Sequence, residues 1–243
     1  MKIIRSNLFS NYPELTFGFS TKTGGVSPEP YCLNLGLNTG DEHENVLRNR
    51  KLFFDAIDIS ENDVSLQKQV HSTVVKYSPS PQHLGECDAM FTDKHNNFLA
   101  VSVADCVPVF LYDPLKKIVA GIHSGWKGSA GKILTLTINE LHERFDVEPS
   151  HLIAYIGPCI SAKNYEVGEE VADMFEDDFV ILTGEKFYLD LKKQNYSQLI
   201  QCGLHSDNIE VCDHCTYDEA DLFHSYRRDR EKSGRMFGVI GVN

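Results

Sequence analysis

His71 in QKQVHSTVV, Cys106 in ADCVPV and His123 in GIHSGWKG each stand at the edge of a strand-like run beside turn residues. One thiolate and two imidazoles form a borderline-soft set of one sulfur and two nitrogens, which suits zinc and also copper. The three are widely spaced, and the sequence offers no obvious fourth ligand. Structural zinc is normally closed by four protein ligands at short spacing, whereas three ligands and an open position is how catalytic zinc is held. The same residues also read as a buried cysteine and two ordinary histidines. A third reading is a thiolate nucleophile, Cys106, with His123 or His71 as its base. Spacing leaves all three open.

Cations and one acid accompany this set. HSGWKGSAG puts Lys127 between Gly125 and Gly128, ahead of a helix whose first N–H groups attract anions. Lys22 lies in the Gly-rich FSTKTGG, which lacks the Walker A spacing. Arg227 and Arg228 lie in SYRRDR; on a strand, adjacent side chains point to opposite faces, so at most one faces a given pocket. These four are the candidate phosphate donors. Asp105, beside Cys106, is the nearest acid for proton transfer, although on a regular strand it faces away and reads equally as a turn residue. Cys212 and Cys215 have CxxC spacing without a second such pair, which alone specifies neither redox nor zinc chemistry.

The elements that must position these residues are legible in outline. Strand-like runs are VSLQKQV, TVVKYS, CDAMFTD, FLAVSVA, VPVFLYD and KIVAGIH, with further strands at 152–157, 208–212 and near 235–242. A helix is expected over about 45–57, burying Leu47, Phe53 and Phe54. The clearest helix is 129–146, where Leu134, Ile138, Leu141 and Phe145 recur on one face and Ser129 is a candidate cap. Helices are also expected at about 168–176 and, capped by Asp190, at 190–203. Residues 19–45 form a long irregular segment rich in Gly, Asn and Pro, and segments of that length inside compact domains are usually functional or disordered. Strands grouped centrally with helices interspersed predict an α+β sandwich in one domain over 1–243.

Bulk properties exclude some classes. A net charge of −12 argues against a broad nucleic-acid or anionic-membrane surface, though not against a small basic pocket for one phosphate. The N-terminus lacks a signal-peptide core, and no apolar run is long enough to span a membrane. Seven cysteines, scattered and odd in number, fit reduced thiols in a cytoplasm.

Several motifs occur together and in order: FSTKTGGVS with LNLG, QKQVHS, ADCVPV, HSGWKG, IGPCIS with YEV, and HCTYD, FHSYRRD and SGRM at the end. In this the chain resembles the YfiH/laccase-domain family over nearly its whole length. The resemblance implies an α/β/β/α layered α+β fold with mixed sheets, similar in its site to cysteine deamidase toxins. It implies metal ligands at His71, Cys106 and His123, usually with zinc. It implies phosphorolysis of adenosine, inosine and S-methyl-5′-thioadenosine to free base and a ribose 1-phosphate, with adenosine deamination alongside; some members are described as peptidoglycan editing factors. Lys22 and Lys127 depart from the family, where arginine is common; lysine keeps the charge but loses the planar fork. The zinc deaminase arrangement of H-x-E with P-C-x-x-C does not occur here. Nor does a His-x-His pair among the ten histidines, so a multicopper oxidase is a poor fit. Two alternatives from other classes are an amide hydrolase built on Cys106 and His123, and a non-enzymatic, zinc-stabilised interaction module.

Overall fold

The computed structural model describes residues 1–243. Its core is two six-stranded mixed sheets packed face to face. The first runs, edge to edge, through Ile3–Ile4, Leu15–Ser20, Met236–Val242, Phe98–Val103, Val64–Lys68 and His83–Glu86. The second runs through Ile209–Val211, Ile153–Ile156, Val107–Asp113, Ile118–Ser124, Ala89–Thr92 and Val75–Tyr77. Alternation along each strand divides its side chains between two layers. On Val107–Asp113, Val107, Val109 and Leu111 join the helices Ile133–Phe145 and Leu191–Gln201 in one apolar cluster. Phe110 and Tyr112 point the other way, into the cluster between the sheets with Phe17, Leu99, Val101 and Ile240. The helix His43–Asp55 covers the outer face of the first sheet through Phe53 and Phe54. The expected α/β/β/α order is therefore the observed one.

The interface between the sheets is aromatic. Phe17 meets Phe110 and Tyr155 edge-to-face, with centroids 5.1 and 5.0 Å apart. A Cβ at Gly238 would lie 2.3 Å from the Phe110 ring, so that strand position must be glycine for the sheets to close.

The decisive feature is how the chain crosses between sheets. Strands Val64–Lys68, His83–Glu86 and Phe98–Val103 are mutually parallel in the first sheet. Each is followed by a strand of the second sheet: Val75–Tyr77, Ala89–Thr92 and Val107–Asp113. The three crossings, at 69–74, 87–88 and 104–106, therefore leave the same end of the sandwich. They carry His71, Asp88 and Cys106. The return crossings lie at the opposite end, where Ser65 Oγ donates to Asn97 Oδ1 at 2.7 Å and Asn97 Nδ2 donates to Ser78 O at 3.1 Å.

Local differences from expectation have local causes. Leu47 is exposed, because the buried face of its helix is Val46, Asn49, Arg50, Phe53 and Phe54. Ser129 lies within a separate short helix, Trp126–Ala130; Lys132, at φ 58°, breaks the chain before Ile133–Phe145 begins. The expected 168–176 helix is reduced to Glu169–Ala172. A three-stranded sheet of Glu166–Val167, Lys186–Leu189 and Val180–Thr183 was not expected; its outer strand is largely exposed and lacks an alternating pattern. Asp190 caps Leu191–Gln201 as expected, its Oδ1 accepting from the Lys193 N–H at 2.9 Å.

Candidate metal centre

His71, Cys106 and His123 converge at the end of the sandwich reached by the three crossings. Their ligating atoms all lie within 4.8 Å of one another. Cys106 Sγ is 3.8 Å from His71 Nε2, and the two imidazoles meet edge-to-face with centroids 4.9 Å apart. His123 arrives from the second sheet, on the strand Ile118–Ser124, paired with Pro108. The wide spacing in sequence is thus a consequence of topology: each donor comes from a different strand end.

Asp88, on the middle crossing, holds His123 and the segment that carries His71. Its Oδ1 accepts from His123 Nδ1 at 2.8 Å and from the His71 N–H at 3.0 Å. Its Oδ2 accepts from the N–H groups of Val70 and Ser72 and from Ser72 Oγ, at 3.2, 2.7 and 2.7 Å. His71 has φ 58°, a left-handed conformation that these N–H bonds hold in place. With Nδ1 committed to Asp88, His123 presents Nε2 to the cluster, the arrangement that fixes a ligand histidine's tautomer and ring plane.

Electrostatics reinforce the geometry. Burial alone would raise the Cys106 thiol, but the charge and hydrogen bonding of His123, then His71, bring it down to about 6. Burial opposes the charged form of His123, and Cys106 and Asp88 overcome this and raise it to about 9. Asp88 is likewise penalised by burial, yet its hydrogen bonds from His123 and Ser72 hold it down at about 2. A ready thiolate, two imidazole nitrogens and a carboxylate behind one of them fit a divalent ion of the zinc or copper type. Gly125 completes the fit. A Cβ there would stand 3.0 Å from His71 Cδ2 and 3.2 Å from Cys106 Sγ, so only a glycine lets this turn pass so close.

The cluster forms part of the wall of a cavity of about 780 Å³. Arg50, Gln69, Tyr226, Glu231, Arg235 and Phe237 also line it. Arg50 is 7 % exposed and Arg235 half-buried, and burial lowers the pKa of both guanidinium groups.

Residues 16–243 match the family model described as multi-copper polyphenol oxidoreductase laccase. The chain belongs to the YfiH/laccase-domain family. It is 36 % identical over 250 residues to the purine nucleoside phosphorylase YlmD of Bacillus subtilis, covering 96 % of this chain and 90 % of that one. It is 33 % identical over 228 residues to the purine nucleoside phosphorylase YfiH of Escherichia coli, with 91 % of each chain covered. The crystal structure of YlmD from Geobacillus stearothermophilus superposes with a TM-score of 0.94 at 30 % identity, covering 100 % of this chain and 97 % of that one. That of the Bacillus licheniformis hypothetical protein YfiH gives 0.91 at 34 %, covering 97 % and 94 %.

Within this laccase-domain fold, the phosphate donors expected from sequence do not line the cavity that holds His71, Cys106 and His123. Lys22 is paired with Glu29 at 3.1 Å. Lys127 lies over the Trp126 ring, 5.4 Å from its centroid. Arg227 and Arg228 sit on a short helix, Tyr226–Asp229, and not on a strand. Arg228 is spent on the carbonyls of Thr216, Tyr217 and Phe223, each at 2.8 Å. Arg227 donates to Glu166 O at 2.7 Å and faces a separate cavity. Asp105 has φ 90°, and its carboxylate accepts from Thr216 Oγ1 and the Arg227 N–H, both at 2.6 Å. Those bonds tie the crossing at 104–106 to the C-terminal segment.

Sequence reading passed over Asp88 and Arg50, and it gave Arg235, one of a C-terminal cluster of arginines, no role of its own. Asp88 had one available signal, an acid inside an apolar run that must be buried and therefore paired. Arg50 occupies the buried face of its helix, four residues after Val46 and three before Phe53. No helix of the chain is long and apolar enough to cross a membrane.

Proposed function

We propose that this protein is a zinc-dependent purine nucleoside phosphorylase acting on adenosine, inosine and S-methyl-5′-thioadenosine, with adenosine deamination as a second activity. The observation that carries the reading is the shared cavity. A three-donor metal centre and two guanidinium groups line one space of about 780 Å³, a size suited to a nucleoside and an anion together. Two relatives over 30 % identical along nearly the whole chain carry the name purine nucleoside phosphorylase, in support.

In phosphorolysis a phosphate oxygen forms a bond to C1′ of the sugar while the bond from C1′ to the purine nitrogen breaks. The electron pair leaves with the base, which takes up a proton. His71, Cys106 and His123 would hold a zinc ion, which would supply a Lewis acid at the cavity wall. The chain's own residues bind and orient: Asp88 keeps His123 in one tautomer, and Tyr226 brings an exposed aromatic ring to the cavity for a flat base. Incubation with adenosine and phosphate, followed by resolution of the products, tests this. Phosphate-dependent adenine and ribose 1-phosphate are expected, and inosine reports deamination. No product from any purine nucleoside contradicts the proposal.

One observation favours a second reading. Cys106, His123 and Asp88 stand in the order nucleophile, base and orienting acid, with the thiol poised near 6, as in a thiol-dependent amide hydrolase. Chelation separates the two. Activity lost to a chelator and restored by zinc supports the metal enzyme; full activity after chelation supports the dyad.

A further inference from the structure

The helix His43–Asp55 and the turn just before the last strand, Met236–Val242, bring two guanidinium groups to the cavity from opposite ends of the sequence. Arg50 uses Nε to donate to Leu35 O at 2.8 Å; its two terminal nitrogens make no hydrogen bond within the protein. Arg235 uses Nη1 on Ser233 O and Gly234 O, at 3.0 and 2.9 Å, which leaves Nε and Nη2. Neither guanidinium is ion-paired with a carboxylate. Glu231, the acid lining the same cavity, instead accepts from Tyr226 Oη at 3.1 Å. Cations drawn partly out of water without a direct ion-pair partner are costly, and donors turned into a cavity are cheapest when an anion completes them.

One strut, the LNLG motif at 33–36, holds the Arg50 side chain and the Arg235 backbone. The Leu35 carbonyl takes Arg50 Nε, the Leu35 N–H donates to Arg235 O at 3.0 Å, and Asn34 Oδ1 accepts from the Arg235 N–H at 2.8 Å. A Cβ at Gly36 would lie 2.6 Å from Arg235 Cγ, so glycine lets the arginine stem pass. Arg50 also sits over the Phe237 ring, 5.0 Å from its centroid. Two planar forks fixed in this way suit a tetrahedral oxyanion better than the flexible lysines elsewhere in the chain.

We infer that Arg50 and Arg235 form the oxyanion subsite of the metal cavity and bind the phosphate that attacks the nucleoside. The identity of the anion rests on the phosphorylase reading; the subsite itself rests on the two guanidinium groups. The test is titration calorimetry of inorganic phosphate into the metal-loaded protein, paired with KM values for phosphate and for nucleoside. Arg235→Gln is expected to raise both Kd and KM for phosphate roughly ten- to a hundredfold, with the nucleoside KM nearly unchanged. Arg235→Lys falls between it and wild type, because charge is kept and the fork is lost. Arg50 also props Leu35, so Arg50→Lys is the informative variant there, with metal content and circular dichroism confirming the fold. Phosphate binding that disappears with the arginines, in a protein that turns over no nucleoside, supports the subsite and removes the phosphorylase reading. Phosphate-dependent cleavage with an unchanged phosphate KM in both arginine variants overturns the subsite and leaves that reading standing. A wild-type protein that takes up no phosphate overturns the subsite as well.

Discussion

Asp88 Oδ1 accepts a hydrogen bond from His123 Nδ1 at 2.8 Å, and the same carboxylate ties down the backbone that carries His71. One acid thereby sets the positions of two imidazoles delivered by different strands. Asp88→Asn is expected to weaken zinc binding roughly ten- to a hundredfold, measured by competition with a chromophoric chelator. In the metal-free protein the folded-state pKa of Asp88, about 2, lies below its ordinary 3.8. The stability it contributes is therefore complete above pH 3.8 and lost as pH falls through about 2. Acid unfolding of Asp88→Asn should lack that component, and identical acid profiles for variant and wild type would count against it.

Cys106 is expected to be the most readily alkylated of the seven cysteines once metal is removed. With its thiol lowered from 9.0 to about 6, thiolate accumulates as pH rises through 6 and reactivity levels off above neutrality. Burial pushes Cys87 up to about 11 and Cys159 up to about 12, so neither competes near pH 7. Mass spectrometry of iodoacetamide-treated protein across pH 5–8 reads this directly. Zinc should protect Cys106; labelling spread evenly over the thiols would contradict the electrostatic account.

Gly125→Ala places a methyl group 3.0 Å from one ligand ring and 3.2 Å from the ligand sulfur. We expect metal affinity to fall while the apo-protein's Tm shifts little, since the added carbon meets the site and not the core. A variant that binds zinc as tightly as wild type would show that the turn is looser than described.

Asp105 is expected to act on stability. Replacing it by alanine leaves Thr216 Oγ1 and the Arg227 N–H without their acceptor, at a cost of about 2 kcal/mol. Asn at this position keeps one acceptor and tolerates the positive φ, so Asp105→Asn should lose less. Denaturant titration measures both. If Asp105 instead moves a proton, Asn and Ala will cut kcat alike with unfolding unchanged.

The sequence made the two long central strands legible because Val107–Asp113 and Ile118–Ser124 are apolar over most of their length and buried on both faces. It exposed the candidate metal ligands through their chemistry, since a thiol and two imidazoles at strand ends are unusual company. What it hid were charges in buried places. Arg50 sits in the polar-looking NVLRNRK, where Asn49 and Arg50 share the inward face with Val46 and Phe53, so periodicity of apolar residues alone misses them. Arg235 disappears into a run of charges, SYRRDREKSGR, in which nothing marks one arginine as facing the cavity. Lys22 and Lys127 looked better placed, beside glycines, but local turn chemistry does not reveal which side of a crossing faces the cavity. Asp88 is meaningful only once the three crossings are seen to leave the same end of the sandwich.

X-ray absorption at the zinc edge of the metal-loaded protein, wild type beside Cys106→Ser, tests the central claim most directly. One sulfur at about 2.3 Å and nitrogen at about 2.0–2.1 Å are expected in wild type, with the sulfur shell absent from the variant. A wild-type spectrum with nitrogen and oxygen alone, or a sulfur shell that survives the substitution, would contradict a centre built from Cys106, His71 and His123.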